Sequence, residues 1–223
     1  MRSGRSSRGN RRSSRGSRTC ERGKRQRLGI LLSGRGSNFE AIARNVASGH
    51  LDCEIGFVFS NKPDAPGLLC AREMGLACGS IPSAGVERTV FDAQVAEVLE
   101  RHSVNWVCLA GYMRFLSGQF VRKFGGRILN IHPSLLPAFP GLDAQYQALV
   151  HGVKITGCTV HFVDENLDSG PILTQSTVPV LDEDTVESLS ARILIEEHKI
   201  YSEAIAWVLT GNYRIEGRRV LKT

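Results

Sequence analysis

An asparagine and a histidine stand two positions apart at the end of an apolar stretch near the middle of the chain. The stretch is residues 128–131, and the two polar residues are Asn130 and His132. Because side chains alternate between the two faces of a strand, we expect both on the same face. An amide donor beside a protonatable imidazole suits a site that stabilises an oxyanion and moves a proton in acyl-type transfer. We expect the chemistry here, with Asp168 holding His132 protonated.

Each of these residues also has an ordinary structural interpretation. A histidine in an apolar stretch is more often a hydrogen-bonded core residue than a catalytic group, and Asp168 precedes Ser-Gly-Pro, a sequence typical of a plain turn. Two observations favour the catalytic interpretation of His132. Asn130 shares its face, and burying two polar groups without partners or a function is costly.

A second candidate site is the glycine-containing loop at residues 33–38, Ser-Gly-Arg-Gly-Ser-Asn, between a predicted strand and a predicted helix. Backbone N–H groups at such a helix start form an anion site. The loop lacks the Gly-Lys-Ser/Thr of a Walker loop, and Phe39 stands where a dinucleotide fingerprint needs its third glycine. A phosphate monoester therefore fits better than a dinucleotide. The alternative is a tight turn that needs glycine and a Ser or Asn cap.

A third candidate site is the loop at residues 110–116, which follows the fourth predicted strand. Ligands of open α/β sheets bind outside the carboxyl ends of the strands. Gly111 allows close approach to the backbone, and Met113 and Leu116 are suited to line a pocket for a flat ring. Taken alone, the loop is better explained as a core loop that packs onto the sheet.

Short apolar strands alternate with helices through the first part of the folded chain and predict how these loops are positioned. Such strands are typical of a parallel sheet covered on both faces. The later alternating stretches, followed by a helix for which Asp184 is the candidate N-cap, predict an antiparallel extension. The fold class is therefore α/β, an open, mostly parallel twisted sheet with helices on both faces and a C-terminal antiparallel extension. Predicted strands cover residues 28–33, 55–59, 76–81, 106–110, 128–131, 154–163 and 171–180; predicted helices cover residues 39–47, 67–74, 87–102, 118–124 and 185–209.

Positive charge is concentrated at the start of the chain. Residues 1–27 contain ten arginines and Lys24 against Glu21, a charge of +10, which leaves −4 of the net +6 for residues 28–223. This Arg/Ser-rich tail has too few apolar residues to fold, so we expect it to be disordered. Three explanations compete: non-specific nucleic-acid binding, organellar targeting and, as we favour, a solvated extension or translated sequence ahead of the true start, without function. Residues 28–223 are expected to form one domain.

The spacing of cysteines and histidines and the hydropathy of the chain bear on metal binding, cellular compartment and membrane association. The six cysteines form no Cys-x-x-Cys motif, and no histidine pair has metal-ligand spacing with a carboxylate between, so we expect no metal. Cys53, Cys108 and Cys158 lie in apolar stretches and are predicted to be reduced core residues, which favours a cytoplasmic protein. No apolar stretch approaches the length of a membrane span, so we expect no membrane partner.

Several motifs, taken together and in order, carry a resemblance to a known family. They are the loop at residues 33–38, Phe-Ser-Asn-Lys at 59–62, Leu-Ala-Gly-Tyr-Met-Arg at 109–114, Asn-Ile-His-Pro-Ser-Leu-Leu-Pro at 130–137, and the stretch at 161–171. This set resembles the phosphoribosylglycinamide formyltransferases of the folate-dependent formyltransferase family, over residues 28–210. The resemblance implies a Rossmann-like formyltransferase fold. It also implies transfer of the formyl group of 10-formyltetrahydrofolate to the amine of glycinamide ribonucleotide in purine biosynthesis, by a monomer or homodimer.

The resemblance also implies roles for individual residues. Asn130, His132 and Asp168 become the catalytic trio, with Asn130 also contacting the folate. The ribonucleotide-binding residues implied are Gly36, Ser37, Asn38 and Glu197. The folate-binding residues implied are Arg88, Met113, Arg114, Phe115 and Leu116. Gln145, Tyr146 and Leu194 depart from residues that relatives often carry, and their effect on substrate contacts stays open.

Two other functions compete with this one. A 10-formyltetrahydrofolate hydrolase shares the trio but delivers the formyl group to water; its relatives carry a further N-terminal domain, which a 27-residue tail does not provide. A methionyl-tRNA formyltransferase is expected to have a C-terminal barrel that this sequence lacks. From another class, the basic tail is compatible with RNA binding, in which case binding depends on residues 1–27 and on salt.

Overall fold

The computed structural model describes residues 25–223, which form nine strands and six helices. The strands are β1 (Arg27–Leu32), β2 (Glu54–Ser60), β3 (Cys78–Ser80), β4 (Trp106–Leu109), β5 (Ile128–His132), β6 (Ile155–Phe162), β7 (Ile172–Pro179), β8 (Tyr213–Glu216) and β9 (Arg219–Lys222). The helices are α1 (Ser37–Ala47), α2 (Pro66–Glu73), α3 (Arg88–Arg101), α4 (Gly118–Lys123), α5 (Ala144–Val150) and α6 (Val186–Thr210).

All nine strands belong to one sheet in the order β3-β2-β1-β4-β5-β6-β7-β9-β8. Strands β1 to β5 pair in parallel, and β6 pairs antiparallel with both β5 and β7. The predicted fold class is confirmed, including the antiparallel extension. Because the strand order reverses between β1 and β4, the loops after these two strands are expected to diverge and to leave a crevice at the carboxyl edge of the sheet.

The sheet is buried on both faces, which explains why its central strands are apolar throughout. In β1, Ile30 and Leu32 pack into one core with residues of α1, α2 and α6, whereas Leu31 packs into a second core with residues of α3 and α4. Cys53, Cys108 and Cys158 are buried free cysteines, as predicted. Adjacent residues of one strand therefore serve opposite layers of helices.

Two details of the prediction were wrong and two elements were not foreseen. The N-cap of α6 is Thr185, not Asp184, because the Thr185 hydroxyl accepts from the Ser188 N–H while the Ser188 hydroxyl accepts from the Thr185 N–H, a reciprocal capping box. Asp184 instead pairs with Arg192. Strand β3 is only three residues long. Helix α5 and the β8–β9 hairpin were missed, since both are short, and the hairpin is also largely exposed.

The start of the described chain is already tied to the domain. Arg27 begins β1 and its guanidinium lies 2.6 Å from the Glu54 carboxylate, and Arg25 pairs with Asp52 at 3.2 Å. The predictions about the basic tail concern residues 1–27, of which residues 1–24 lie outside the described residues. Within residues 25–223, no helix combines the length and apolarity that crossing a bilayer requires.

Tyr201 connects the long helix α6 to the strands that end at the carboxyl edge. Its side chain is 1% exposed, and its hydroxyl lies 2.9 Å from the Leu109 carbonyl oxygen and 3.1 Å from that of Leu129. These carbonyls belong to β4 and β5. One phenol thus fixes α6 against the two strands from which the candidate loops emerge.

We expect Tyr201→Phe to lower the free energy of unfolding by about 1–3 kcal/mol, because two buried carbonyls lose their hydroxyl donor. Urea unfolding followed by circular dichroism measures the change. Tyr146→Phe is the control, since the Tyr146 side chain is 57% exposed. Equal unfolding midpoints for the two variants would contradict the role assigned to Tyr201.

Candidate active site

Strand β5 delivers Asn130 and His132 to the carboxyl edge of the sheet. The antiparallel register of β5 and β6 places His161 opposite Asn130 and Thr159 opposite His132. Asn130 is half-buried, and His132 is 5% exposed. The prediction that Asn130 and His132 lie on one face of a strand is confirmed, and β6 adds a second histidine beside them.

Both ring nitrogens of His132 face groups that accept hydrogen bonds. Nε2 lies 2.9 Å from the carbonyl oxygen of Phe139, and a carbonyl oxygen can only accept, so Nε2 carries a proton. Nδ1 lies 3.5 Å from Oδ2 of Asp168, an ion-pair distance. The Phe139 carbonyl and the Asp168 carboxylate therefore face opposite sides of the ring. Together these two contacts fix the orientation of the His132 imidazole.

Asp168 is held in position by its backbone and by the loop before α5. Its φ of 45° lies in the left-handed region, which aspartate tolerates better than most residues. Oδ2 accepts a hydrogen bond from the Gly141 N–H at 2.8 Å. Two residues later, a Cβ on Gly170 would lie 1.8 Å from the Phe162 carbonyl oxygen, so only glycine allows the chain to turn back here.

His161 completes the cluster and was not assigned a role from the sequence. Its Nδ1 lies 2.9 Å from the Phe162 carbonyl oxygen and therefore carries the proton of a neutral ring, which leaves Nε2 to accept from the Asn130 amide at 3.2 Å. The same Nε2 is 3.7 Å from Oδ1 of Asp168. Burial lowers the pKa of His161, which agrees with a neutral ring. His132 and His161 thus lie beside the same carboxylate but have different hydrogen-bond partners.

The loop between β5 and α5 lies directly against the catalytic candidates. The Ser134 hydroxyl is 2.5 Å from the Ala138 carbonyl oxygen and 3.2 Å from that of Phe139. Phe139 has a φ of 53°, which lies in the left-handed region of backbone conformations. This is the residue whose carbonyl contacts His132. The Phe139 carbonyl of this loop contacts His132, and the Gly141 N–H donates to Asp168. The loop therefore contacts both members of the His132–Asp168 pair.

The loop at residues 33–38 opens α1 at the crevice. Gly36 is the N-cap with a φ of 81°, and a Cβ there would meet Gly67 at 3.1 Å and Leu32 at 3.2 Å. Among the described residues, no side chain caps this helix start. Backbone N–H groups of the first turn are then available to an anion, beside the half-buried Ser37 and the buried Asn38.

Glu197 of α6 is brought to this loop although it lies far away in sequence. Its carboxylate accepts from the Asn38 amide at 2.7 Å, and the side chains of both residues are buried. Burial raises the pKa of Glu197, and the bond from Asn38 opposes this shift. A buried carboxylate beside the start of α1 is placed to meet a polar or cationic group of a ligand.

Residues 113–116 lie at the end of β4, on the other side of the crevice. Met113 and Phe115 are 64% and 61% exposed, Leu116 is half-buried, and the Arg114 guanidinium lies 4.4 Å from the centre of the Phe91 ring. Two large exposed apolar side chains next to a polar cluster are typical of a surface that a flat ligand covers.

Asp92 of α3 anchors the end of this segment and was not foreseen as a site residue. It is 1% exposed and accepts from the Ser117 N–H at 2.5 Å. Burial raises the pKa of Asp92, while the bond from Ser117 and the charges of Arg114 and Arg88 oppose this shift. Arg88 itself is exposed at the first residue of α3 and does not join the trio.

Other parts of the described chain offer weaker candidates. A cavity of about 480 Å³ lies at the amino ends of β1 and β2. Its four charged lining residues already form the pairs Arg25–Asp52 and Arg27–Glu54, so their charge is not free for a ligand. Within residues 25–223, no group of three or more His, Cys, Asp or Glu side chains is arranged to hold a metal ion.

Comparison with known families identifies one matching model, that of the formyl transferases, over residues 26–205. The match includes the trio, His161, Glu197 and both candidate loops. It leaves out the β8–β9 hairpin, which begins at Tyr213.

Curated relatives and solved structures agree with this match. Trifunctional purine biosynthetic protein adenosine-3 of Bos taurus is 46% identical over 193 residues, covering 86% of this chain but 19% of that protein, so the chain spans less than a fifth of that relative. Phosphoribosylglycinamide formyltransferase of Escherichia coli (strain K12) is 41% identical over 83% of this chain and 88% of its own length. The crystal structure of glycinamide ribonucleotide transformylase 1 from Symbiobacterium toebii superposes with a TM-score of 0.87 at 52% identity, covering 89% of this chain and 94% of that one.

We expect Glu197→Gln to stabilise the protein at neutral pH, because it removes a buried charge and keeps an acceptor for Asn38. The raised pKa means that wild-type Glu197 contributes stability below the ordinary carboxyl pKa and loses it as pH rises through the raised value. The variant's advantage should therefore be largest near pH 7.5 and vanish near pH 4. Thermal unfolding measures it, about 2–4 °C for each kcal/mol gained.

Glu196→Gln is the matched control on the neighbouring residue of α6. Hydrogen bonds from Lys199 and Ser176 lower the pKa of Glu196, so its charge is favourable and its removal should bring no gain. If Glu197→Gln leaves the melting temperature unchanged at both pH values, burial of the Glu197 carboxylate carries no cost.

Proposed function

We propose, on the premise that this chain belongs to the formyl transferase family, that it transfers the formyl group of 10-formyltetrahydrofolate to the amine of glycinamide ribonucleotide in purine biosynthesis. Similarity to a phosphoribosylglycinamide formyltransferase over 88% of that protein's length supports this choice. The observation that carries the proposal is the convergence of Asn130, His132 and Asp168 at the carboxyl edge of the sheet.

The trio supplies what formyl transfer requires in its transition state. Negative charge develops on the formyl oxygen when the amine attacks, and the His132 imidazolium and the Asn130 amide are donors for that oxygen. We infer that the formyl oxygen replaces the Phe139 carbonyl as the acceptor at Nε2 of His132. Asp168 keeps the ring oriented and charged through Nδ1, so the imidazolium can protonate N10 of the folate as the bond between N10 and the formyl carbon breaks. The proton that the attacking nitrogen loses returns the ring to its charged form.

No protein nucleophile is needed in this mechanism, since the substrate amine is itself the attacking group. The protein's contribution is to hold two substrates in line, which can supply about 7–11 kcal/mol of the barrier. His161 fits this scheme as a positioning residue. It accepts from Asn130 and so sets the direction in which the amide can donate or accept.

The ribonucleotide is assigned to the side of the crevice formed by α1 and α6. Gly36, Ser37 and Asn38 provide the start of a helix, where backbone N–H groups and the helix dipole favour a phosphate. Glu197, one hydrogen bond from Asn38, is the acidic group assigned to the sugar and amine end.

The folate is assigned to the side formed by β4 and α3. Exposed Met113 and Phe115, with Leu116 behind them, fit a flat pterin ring, and the half-buried Asn130 lies on the adjacent strand β5. Arg114 and Arg88 supply positive charge on this side, which fits a co-substrate that carries carboxylates. The bound folate supplies the activated one-carbon unit; the residues named here bind and orient it.

An assay with both substrates separates this function from its nearest alternative. Full-length protein, glycinamide ribonucleotide and 10-formyltetrahydrofolate should yield formylated ribonucleotide. Formate release that does not depend on the ribonucleotide would instead identify a 10-formyltetrahydrofolate hydrolase. A cytoplasmic location and a monomeric or homodimeric state stay predictions from the sequence.

We expect His132→Ala and Asp168→Asn each to lower kcat by about 10²–10³ with little change in either KM, because each removes stabilisation that is specific to the transition state. Asn at position 168 keeps an acceptor for the Gly141 N–H and removes only the charge. Steady-state kinetics measures both parameters. His50→Ala is the control, because His50 is an exposed histidine after α1. Near-normal turnover in either trio variant would refute the assigned roles.

Ser37→Ala should raise the KM for glycinamide ribonucleotide about tenfold and leave kcat and the KM for the folate nearly unchanged, since one hydrogen bond to a charged phosphate is lost. Ser48→Ala makes the same substitution at the opposite end of α1 and serves as the control. An unchanged ribonucleotide KM in Ser37→Ala would remove the phosphate assignment from this loop.

A further inference from the structure

One buried serine stands where the two proposed ligand sites meet. Ser33 follows β1 and is the first residue of the phosphate loop, residues 33–38. The crevice at this point separates the loop after β1 from the loop after β4, which continues into the folate segment, residues 113–116. Neither the trio nor the proposed phosphate contacts give Ser33 a role.

Ser33 makes three hydrogen bonds, two of which join the loop after β1 to the loop after β4. Its hydroxyl donates to Oδ1 of Asn61 at 2.6 Å and accepts from the N–H of Met113 at 2.8 Å. Its own N–H donates to the Gly111 carbonyl at 3.1 Å. The exposed fractions of Ser33 and Asn61 are 3% and 9%, so water does not compete for these groups.

Asn61 determines which way the Ser33 hydroxyl points. A serine hydroxyl has one proton to donate, and Asn61 takes it, so a lone pair is left for the Met113 N–H. Asn61 follows β2 and belongs to the Phe-Ser-Asn-Lys motif at residues 59–62, whose function the proposed mechanism does not explain. This contact gives the motif a purpose, because the ends of β1, β2 and β4 meet through one hydroxyl.

We propose that Ser33 is a positioning residue that sets the folate segment from within the phosphate loop and couples the binding of the two substrates. This inference rests on the proposed function. Met113 is the first residue of the folate segment, and its N–H donates to the buried Ser33 hydroxyl in a part-buried hydrogen bond. A shift of either loop breaks that bond and leaves the buried hydroxyl of Ser33 without its donor. Ordering one loop around its ligand therefore favours the ordered form of the other.

The test is a pair of equilibrium binding measurements by calorimetry on the full chain. The dissociation constant of glycinamide ribonucleotide is measured with and without saturating tetrahydrofolate, and that of tetrahydrofolate is measured alone. In the wild type each ligand should tighten the other about fivefold or more. In Ser33→Ala, tetrahydrofolate should bind about tenfold more weakly, and the coupling ratio should fall to near one.

Ser202→Ala is the matched control. Its hydroxyl is 8% exposed and accepts from the Asn45 amide at 2.7 Å, which connects α1 and α6 away from both proposed ligand sites. Its removal is the same chemical change and should leave both affinities and the coupling ratio unchanged. If Ser33→Ala does not fold, Asn61→Ala is the variant to use. It keeps the Ser33 hydroxyl but removes the acceptor that orients it, so it should also lower the coupling ratio.

The outcomes separate this inference from the proposed function. If the wild type binds both ligands and Ser33→Ala retains its coupling ratio, the inference is refuted while the function stands. The inference is also refuted if Ser33→Ala weakens the binding of both ligands equally and leaves the coupling ratio unchanged. That result would mean that Ser33 only supports the structure in general. If the wild type binds neither ligand, the proposed function fails and the inference fails with it.

Discussion

The imidazole of His132 lies between two groups that can only accept hydrogen bonds, the Phe139 carbonyl and the Asp168 carboxylate. Because the site is almost closed to water, these two contacts define one orientation of the ring. Several unusual local features serve it. Phe139 and Asp168 both adopt left-handed backbone conformations, and Gly170 lies against a carbonyl where no side chain would fit. Such features store strain that the surrounding structure must hold in place.

The same carboxylate lies beside a histidine of opposite character. His161 uses one nitrogen to donate to a backbone carbonyl and the other to accept from Asn130, so it needs no second proton. Asp168 approaches both rings at ion-pair distances, but the other hydrogen-bond partners of the two rings differ. In the proposed mechanism His132 is the proton donor and His161 supports the amide of Asn130.

Around this centre, buried or part-buried polar contacts connect helices and loops that are far apart in the chain. Asn38 meets Glu197, Ser33 meets Met113 and Asn61, and Asp92 meets the Ser117 N–H. Each contact keeps a polar group away from water, which costs stability unless its geometry is satisfied. Glu197 shows this cost directly, because burial raises its pKa. A ligand-binding site that retains such groups exchanges stability for recognition.

The sequence by itself determined the class of fold, the positions of most strands and helices, and the shared face of Asn130 and His132. These are local properties, since the spacing of apolar residues in a strand or helix and the glycines of a turn are visible within a short stretch of sequence. Only the tertiary structure decided that His161 stands opposite Asn130, that Ser33 reaches Met113, and that Thr185 rather than Asp184 caps α6. Strand register, hydroxyl direction and competing partners such as Arg192 depend on groups far apart in the chain, and no local pattern encodes which of them will meet.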